Sequence, residues 1–245
     1  MNLKNYFYHL VTAAEKMYGR QVQSLLVAEK EMVVALDCGC SSGEKTVKVL
    51  GRLEARSVLG VDIEHHRLVE ARKRGVRAVQ VDLNRGLCFA SESVDVIYSD
   101  QVIEHLCNTD IFVSEMYRVL KKGAYLILCT ENLASWHNIL SLLFGFQPFS
   151  LTIISSKVCG VGNPLALHRG QCPPDDTPWQ HVRVFSYQGL KEILELHGFM
   201  VRTILGSGYY PLPAFVGNID RRHAAFLVVR ADKGRVMDKC EVSGR

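Results

Sequence analysis

The chain has no Cys-x-x-Cys pair, no block of like charge and, at its start, no unbroken apolar stretch. Each absence removes a class of protein. The eight cysteines, Cys38, Cys40, Cys88, Cys107, Cys129, Cys159, Cys172 and Cys240, are spaced for neither a zinc ribbon nor a dithiol redox centre. Several fall inside apolar, strand-like runs, which points to reduced thiols in a cytoplasmic protein and to no metal. The net charge of +4 is scattered, apart from "ARKRGVR" at 71–77, which reads as the exposed end of a helix. No nucleic-acid partner is indicated. "MNLKNYFYHLVTAAEKMYGR" carries charges where a secretory leader needs its apolar region, and is expected to be a helix of the mature protein. Internal repeats and low-complexity tracts are also missing.

A further absence is local. From Asn132 to Ser156 there is no Asp, Glu, Lys or Arg. The stretch is long enough to span a bilayer, but Gly145 and Pro148 break any single helix through it. Over 133–146, helical spacing puts Leu133, Trp136, Leu140, Leu143 and Phe144 on one stripe and Ile139, Leu142 and Phe146 on a second. Ala134, Ser135, Asn138, Ser141 and Gly145 are left over. A helix this apolar is expected to be buried against the sheet or a partner subunit, to form a lid over an apolar pocket, or to make peripheral membrane contact.

What is present is an alternation of two periods. "MVVALD", "SVLGVD", "RAVQVD", "VDVIYSD" and "AYLILCT" are apolar throughout, as strands buried on both faces of a parallel sheet are. Helix-period segments lie between them: one after Gly43, one over 64–74, and one over 109–120 with Asn108 or Thr109 as N-cap and "KKG" as its stop. The rhythm lapses over 131–185, which reads as an insertion or lid, and resumes in "SYQGLKEILELHG", with Ser186 as N-cap. Two more strands follow in "FMVRTILG" and "AAFLVVR". The 245 residues fit one domain over 1–230, with 231–245 a charged, frayed tail.

In such a sheet, ligands bind at the carboxyl ends of the strands. Three successive strand-like runs end in Asp37, Asp62 and Asp82, a rim that repels phosphate and suits a cationic ligand with ribose hydroxyls. The first loop, "LDCGCSSGEKT", has Glu44 where a phosphate cradle needs Gly, and lacks the full Gly-x-Gly-x-x-Gly of a dinucleotide site.

Here the sequence resembles the class I S-adenosylmethionine-dependent methyltransferases, in the branch that includes quinone-biosynthesis and many small-molecule enzymes. The matching stretches are "ALDCGCSSG" at 35–43, "GVDI" at 60–63, "VDLN" at 81–84, "VDVIYSDQVIEHL" at 94–106 and "EMYRVLKKGAYLIL" at 115–128. The resemblance implies an α/β, doubly wound, Rossmann-like fold with a mostly parallel seven-stranded sheet, its last strand antiparallel, an N-terminal helix, and a lid after the fifth strand. It implies S-adenosyl-L-methionine as cofactor. Asp37, Gly39, Cys40 and Gly43 would shape the loop around the methionine part; Asp62 would take the ribose hydroxyls, with Ile63 against the adenine. Asp82 and Leu83 would meet the adenine edge, and Ser99 would offer its backbone near the amino-acid end. Ser41 replaces the family's middle Gly, which restricts that turn.

A hydroxyl or acidic C–H acceptor also needs a base. In "IEHL", Glu104 and His105 would stand beside the methyl group, and His105 suits proton removal. His181, with Arg183 in "HVRVF", is the second candidate, for holding an acidic acceptor or orienting a base. Glu131, His137 and His168 are weaker ones. The expected activity is methyl transfer to oxygen or carbon of a small or lipid-linked acceptor. A non-catalytic protein that keeps the pocket and a nucleotide-dependent oxidoreductase are the alternatives.

Overall fold

The computed structural model describes residues 3–27, 33–53, 55–171 and 180–234. Its elements are α1 (Leu3–Leu25), β1 (Val34–Cys38), α2 (Glu44–Leu50), β2 (Ser57–Asp62), α3 (His65–Lys73), β3 (Arg77–Gln80) and β4 (Val94–Asp100). There follow α4 (Thr109–Val119), β5 (Leu120–Glu131), α5 (Trp136–Leu143), α6 (Tyr187–Leu196), β6 (Phe199–Ser207), α7 (Val216–Ile219) and β7 (Phe226–Lys233). The strands form one sheet in the order β3-β2-β1-β4-β5-β7-β6. Strands β1 to β5 are parallel, and β7 runs antiparallel between β5 and β6.

Apolar side chains cover both faces of the central strands. On one face Leu36, Ile97, Leu126 and Leu128 pack with Phe112 and Met116 of α4 and Leu190 of α6. On the other, Ala35, Val96, Tyr98 and Ile127 pack under Tyr18 and Val22 of α1 and Val49 and Leu50 of α2. This two-sided burial explains why the strands are apolar throughout. The edge strand β3 departs from the expectation: only Ala78 of it is buried. Helix α6 starts as expected, the Ser186 hydroxyl accepting the Gly189 amide at 3.2 Å.

Three readings are corrected. "KKG" does not stop a helix in a loop; the chain turns from α4 straight into β5, and Gly123, at φ 75°, lies where the β4–β5 register jumps from Leu120 opposite Val94 to Tyr125 opposite Val96. Asn108 makes no side-chain cap on α4. The last strand continues through Ala231–Lys233, held by the Arg202–Asp232 pair at 2.7 Å, so the tail starts later than expected; residues 235–245 lie outside the described residues.

The charge-free segment is corrected more deeply. Its helix is shorter than expected and is not buried all round: Asn138 and Ser141 face inward, while Leu143 is 75% and Phe144, just past the helix, 69% exposed. The reason is polar satisfaction. Asn138 donates to Asn132 O at 3.0 Å and to Ser150 Oγ at 2.8 Å, and its own Oδ1 accepts the Ser150 amide at 3.2 Å. Ser141 Oγ accepts from Asn163, whose amide group also reaches Gln147 O at 2.8 Å. These side chains substitute for the ladder bonds that the irregular backbone over 147–163 lacks, so the helix turns its amides and hydroxyls to the loop. Among the described residues, no helix is long and apolar enough to cross a membrane. The six described cysteines are free; Cys172 and Cys240 lie outside the described residues.

Candidate active site

The loop between β1 and α2 folds over the end of β2. Val61 O accepts both the Gly39 amide at 2.8 Å and the Cys40 amide at 3.0 Å. The turn needs left-handed backbone at Gly39 (φ 88°), Ser41 (φ 46°) and Gly43 (φ 78°). A Cβ at Gly39 would collide with Val102, and one at Gly43 would stand 2.9 Å from the Ala71 backbone. Ser41 takes its strained conformation because both its groups are held: its amide donates to Asp62 Oδ2 at 2.8 Å, and its hydroxyl accepts from Arg67 at 2.9 Å. The turn therefore survives the missing glycine.

Above this loop, at the carboxyl ends of β1, β2 and β4, lies a cleft of about 600 Å³. Asp37, Gly39, Cys40, Asp62, Ile63, Asp82, Leu83 and His105 line it. Gly43, Ser99 and His181 do not: Gly43 packs beneath α3, Ser99 is buried in β4, and His181 stands behind His105. Asp37 is buried and accepts from Thr46 at 2.6 Å. Burial pushes its carboxyl up to about 7, against the opposing pull of Thr46 and Lys45. Asp62 accepts one amide on each oxygen, from Ser41 and from Glu64, and keeps further lone pairs for a ligand. Asp82 sits in the turn after β3, where Asn84 and Arg85 already occupy it.

Sequence reasoning missed a cluster on the far wall. Asp100, at the end of β4, has a buried side chain that receives the hydroxyls of Tyr18 and Tyr98 and the ammonium of Lys45. Burial raises its carboxyl to about 7. Lys45 and Lys48 lie one turn apart on α2 and both border the cleft, a spacing that was readable once the helix was placed. Tyr18 comes from 82 residues upstream, and no local signal connects it.

His105 and His181 meet edge to face, ring centroids 4.8 Å apart. His105 Nδ1 is 3.1 Å from Gln180 O, and His181 Nδ1 is 2.6 Å from Ser150 O. A carbonyl only accepts, so both rings carry a proton on Nδ1. Burial and the neighbouring His181 lower His105 to about 4, keeping it neutral at pH 7. Glu104 is fully buried, bonded to Thr130 at 2.9 Å, and raised to about 8 by burial. One ligand atom from each of Glu104, His105 and His181 lies within 4.8 Å of the others, a donor set able to hold a proton or a cation. Arg183 does not face the cleft; its guanidinium donates to Thr109 at 2.7 Å, tying the strap before α6 to α4. Glu131 reaches His181 at 3.7 Å, His137 packs between Phe149 and Tyr210, and His168 is on the surface beside Gln171.

This sheet order, with a glycine turn after β1 and carboxylates at the strand ends around one cleft, is that of the Rossmann-like methyltransferase fold. Residues 36–128 match the family described as Methyltransferase domain. The chain is 27% identical over 189 residues to the mitochondrial ubiquinone biosynthesis O-methyltransferase of Rattus norvegicus, covering 74% of this chain and 48% of that one. The Homo sapiens enzyme of the same description is 26% identical over 215 residues, covering 83% of this chain and 51% of that one. The chain thus spans about half the length of these relatives. In fold it is similar to a crystal structure of an S-adenosylmethionine-dependent methyltransferase from Thermotoga maritima, with a TM-score of 0.58 at 19% identity over 94% of this chain and 96% of that one.

The cleft fits that cofactor. Its donors are carboxylates, which suit ribose hydroxyls and a cationic sulfonium, and the bare Cα of Gly39 leaves the loop open to close approach. Ile63, 45% exposed on the cleft wall, offers the apolar surface an adenine ring needs.

Proposed function

We propose that the protein transfers the methyl group of S-adenosylmethionine to a hydroxyl oxygen, or an acidic carbon, of a small or lipid-linked, quinone-like acceptor. The observation that carries this reading is the meeting of Asp37, Asp62 and the Gly39 turn with a neutral imidazole, His105, in one cleft. Bound there, the cofactor supplies a sulfonium-borne methyl, which the acceptor takes by direct displacement as the carbon–sulfur bond breaks and its electron pair stays on sulfur. The chain's own part is alignment, exclusion of water and removal of one proton. Asp62 would hold the ribose, Asp82 and Leu83 would border the adenine, and the turn at Gly39 would place the methionine end. His105 Nε2 accepts the acceptor's proton; His181 positions that ring through their edge-to-face contact. The O-methyltransferase description of the relatives supports an oxygen acceptor. The outward apolar face of α5 supports a lipid-linked one, approached through peripheral membrane contact at 133–146.

Calorimetry with S-adenosylhomocysteine and with NAD, followed by radiolabelled methyl transfer to a panel of hydroxylated quinone-like acceptors, tests the reading. Binding of S-adenosylhomocysteine and transfer to a member of the panel are expected. NAD binding in place of S-adenosylhomocysteine would overturn the methyltransferase reading. Cofactor binding with no transfer to any acceptor would favour a pocket-bearing, non-catalytic protein.

A further inference from the structure

A second cavity, of about 440 Å³, lies between α1 and α2 and opens onto the cofactor cleft. Lys45, Lys48, Tyr98 and Gln101 border both spaces, so the two are continuous at the Asp100 cluster. Away from that junction Tyr18, Val22, Val49 and Phe226 line the groove, with Gly19 along one wall and Glu15 and Gln23 on its α1 side. Its polarity therefore runs from the lysines at the cleft to an apolar floor of buried Val22 and Val49, with the exposed Glu15 at the rim. A ligand matching that gradient has a polar head in the cleft and an apolar chain in the groove.

Gly19 marks the same space independently. It sits in the interior of the 23-residue α1, where Gly is about 1 kcal/mol less favourable than Ala. Unlike Gly39 and Gly43, it has neither a positive φ nor a neighbour to avoid: a Cβ there would meet nothing within 4 Å. Neither turn geometry nor packing calls for glycine at this point. What the missing side chain does is leave the groove open at mid-helix.

We propose that the groove between α1 and α2 receives the apolar chain of the acceptor, and so sets the enzyme's preference for tailed over untailed substrates. The inference rests on the methyl-transfer reading for the position of the head beside Gln101 and His105. The volume is within the roughly 300–1,000 Å³ range of small-molecule sites and suits a flexible chain in one extended run.

The test fills the groove from α1. Gly19→Leu and, one turn further on, Gln23→Phe are compared with Gly19→Ala and the parent. Thermal melts check the fold; the Gly19 variants are expected to melt no lower than the parent. Calorimetry then measures catechol and 4-decylcatechol on each protein, with and without S-adenosylhomocysteine. The parent is expected to bind the decyl compound at least tenfold more tightly than catechol, and both fillers are expected to abolish that difference while catechol and S-adenosylhomocysteine bind as before. A tail advantage that persists in both fillers, or is missing in the parent, overturns the proposal. Loss of S-adenosylhomocysteine binding in the fillers alone also overturns it, by assigning the groove to the cofactor. Failure of the parent itself to bind S-adenosylhomocysteine would instead sink the methyltransferase reading, while the titrations without it still decide what the groove holds.

Discussion

Asp62 closes the glycine turn through Ser41 and still has lone pairs facing the cleft, so it joins fold and ligand in one side chain. Asp62→Ala is expected to weaken S-adenosylhomocysteine binding by about 1–3 kcal/mol in a calorimetric titration, the usual effect of unsatisfied polar partners. Asp82→Ala should cost less, because Asn84 and Arg85 already share its carboxylate. Parent-like binding by both would show that neither residue holds the cofactor. For His105→Ala, S-adenosylhomocysteine affinity should persist while turnover falls by about 10²- to 10⁴-fold, as for loss of a general base; an unchanged rate would leave His105 a purely structural role. Titration adds a third expectation. Asp37 and Asp100 near 7 and Glu104 near 8 bind protons in the folded state that the unfolded chain has released. The stability these raised carboxyls contribute is complete below pH 4 and is lost as pH climbs through 7 to 8. His105 and His137, both lowered to about 4, oppose this only up to about pH 6.5, where the unfolded imidazoles lose their charge. The melting temperature should therefore fall between pH 6.5 and 8.5, and Asp100→Asn, which keeps an acceptor for one tyrosine hydroxyl and offers the other an N–H to accept, should flatten that fall; a slope equal to the parent's would mean that Asp100 does not titrate there. The strand-end carboxylates were legible in the sequence because each closes an apolar run at a fixed place in the β-α-β rhythm. The Asp100 cluster was not, because its parts come from α1, α2 and β4 and meet only in three dimensions.

Helix α5 separates what periodicity can tell from what it cannot. The stripes over 133–146 were readable, and so was the leftover row with Asn138 and Ser141. Which row faces inward was not, since that depends on the unpaired backbone of a loop more than ten residues downstream. This orientation sets the mutational pattern. Leu143→Ser and Phe144→Ser, on the exposed face, should shift stability by no more than about 0.5 kcal/mol in urea unfolding. Asn138→Leu, nearly the same size and far more apolar, should destabilise by about 1–3 kcal/mol or more, because it leaves the Ser150 amide and hydroxyl without Asn138 in the interior. If the leucine is tolerated and the serines are not, the helix has been placed the wrong way round. The α4–β5 junction shows a similar limit: "KKG" has the composition of a stop, yet pairing of Leu120 with Val94 starts the next strand before the lysines.

At the scale of the molecule, the mostly parallel seven-stranded sheet with its antiparallel last strand was legible from the class resemblance, whereas the groove between α1 and α2 was not, since nothing in the first helix's sequence says which strands it will cover. The placement of β7 between β5 and β6 bears on how the protein can be made at all. On the ribosome, β6 emerges before the strand that must separate it from β5, so for that interval two open edges compete to pair directly in the wrong order. Helix α1 waits even longer: Gln21 docks on Gly206 O, and Ser207 on Ala14 O, across some 190 residues of chain. Nascent chains arrested before Phe226 should therefore be sensitive to protease throughout α1 and dependent on chaperones, and should gain protection in one step when the final strand is released. The α1 wall of the groove is thus synthesised long before it is secured, and no nascent chain that still lacks β7 can hold a ligand there.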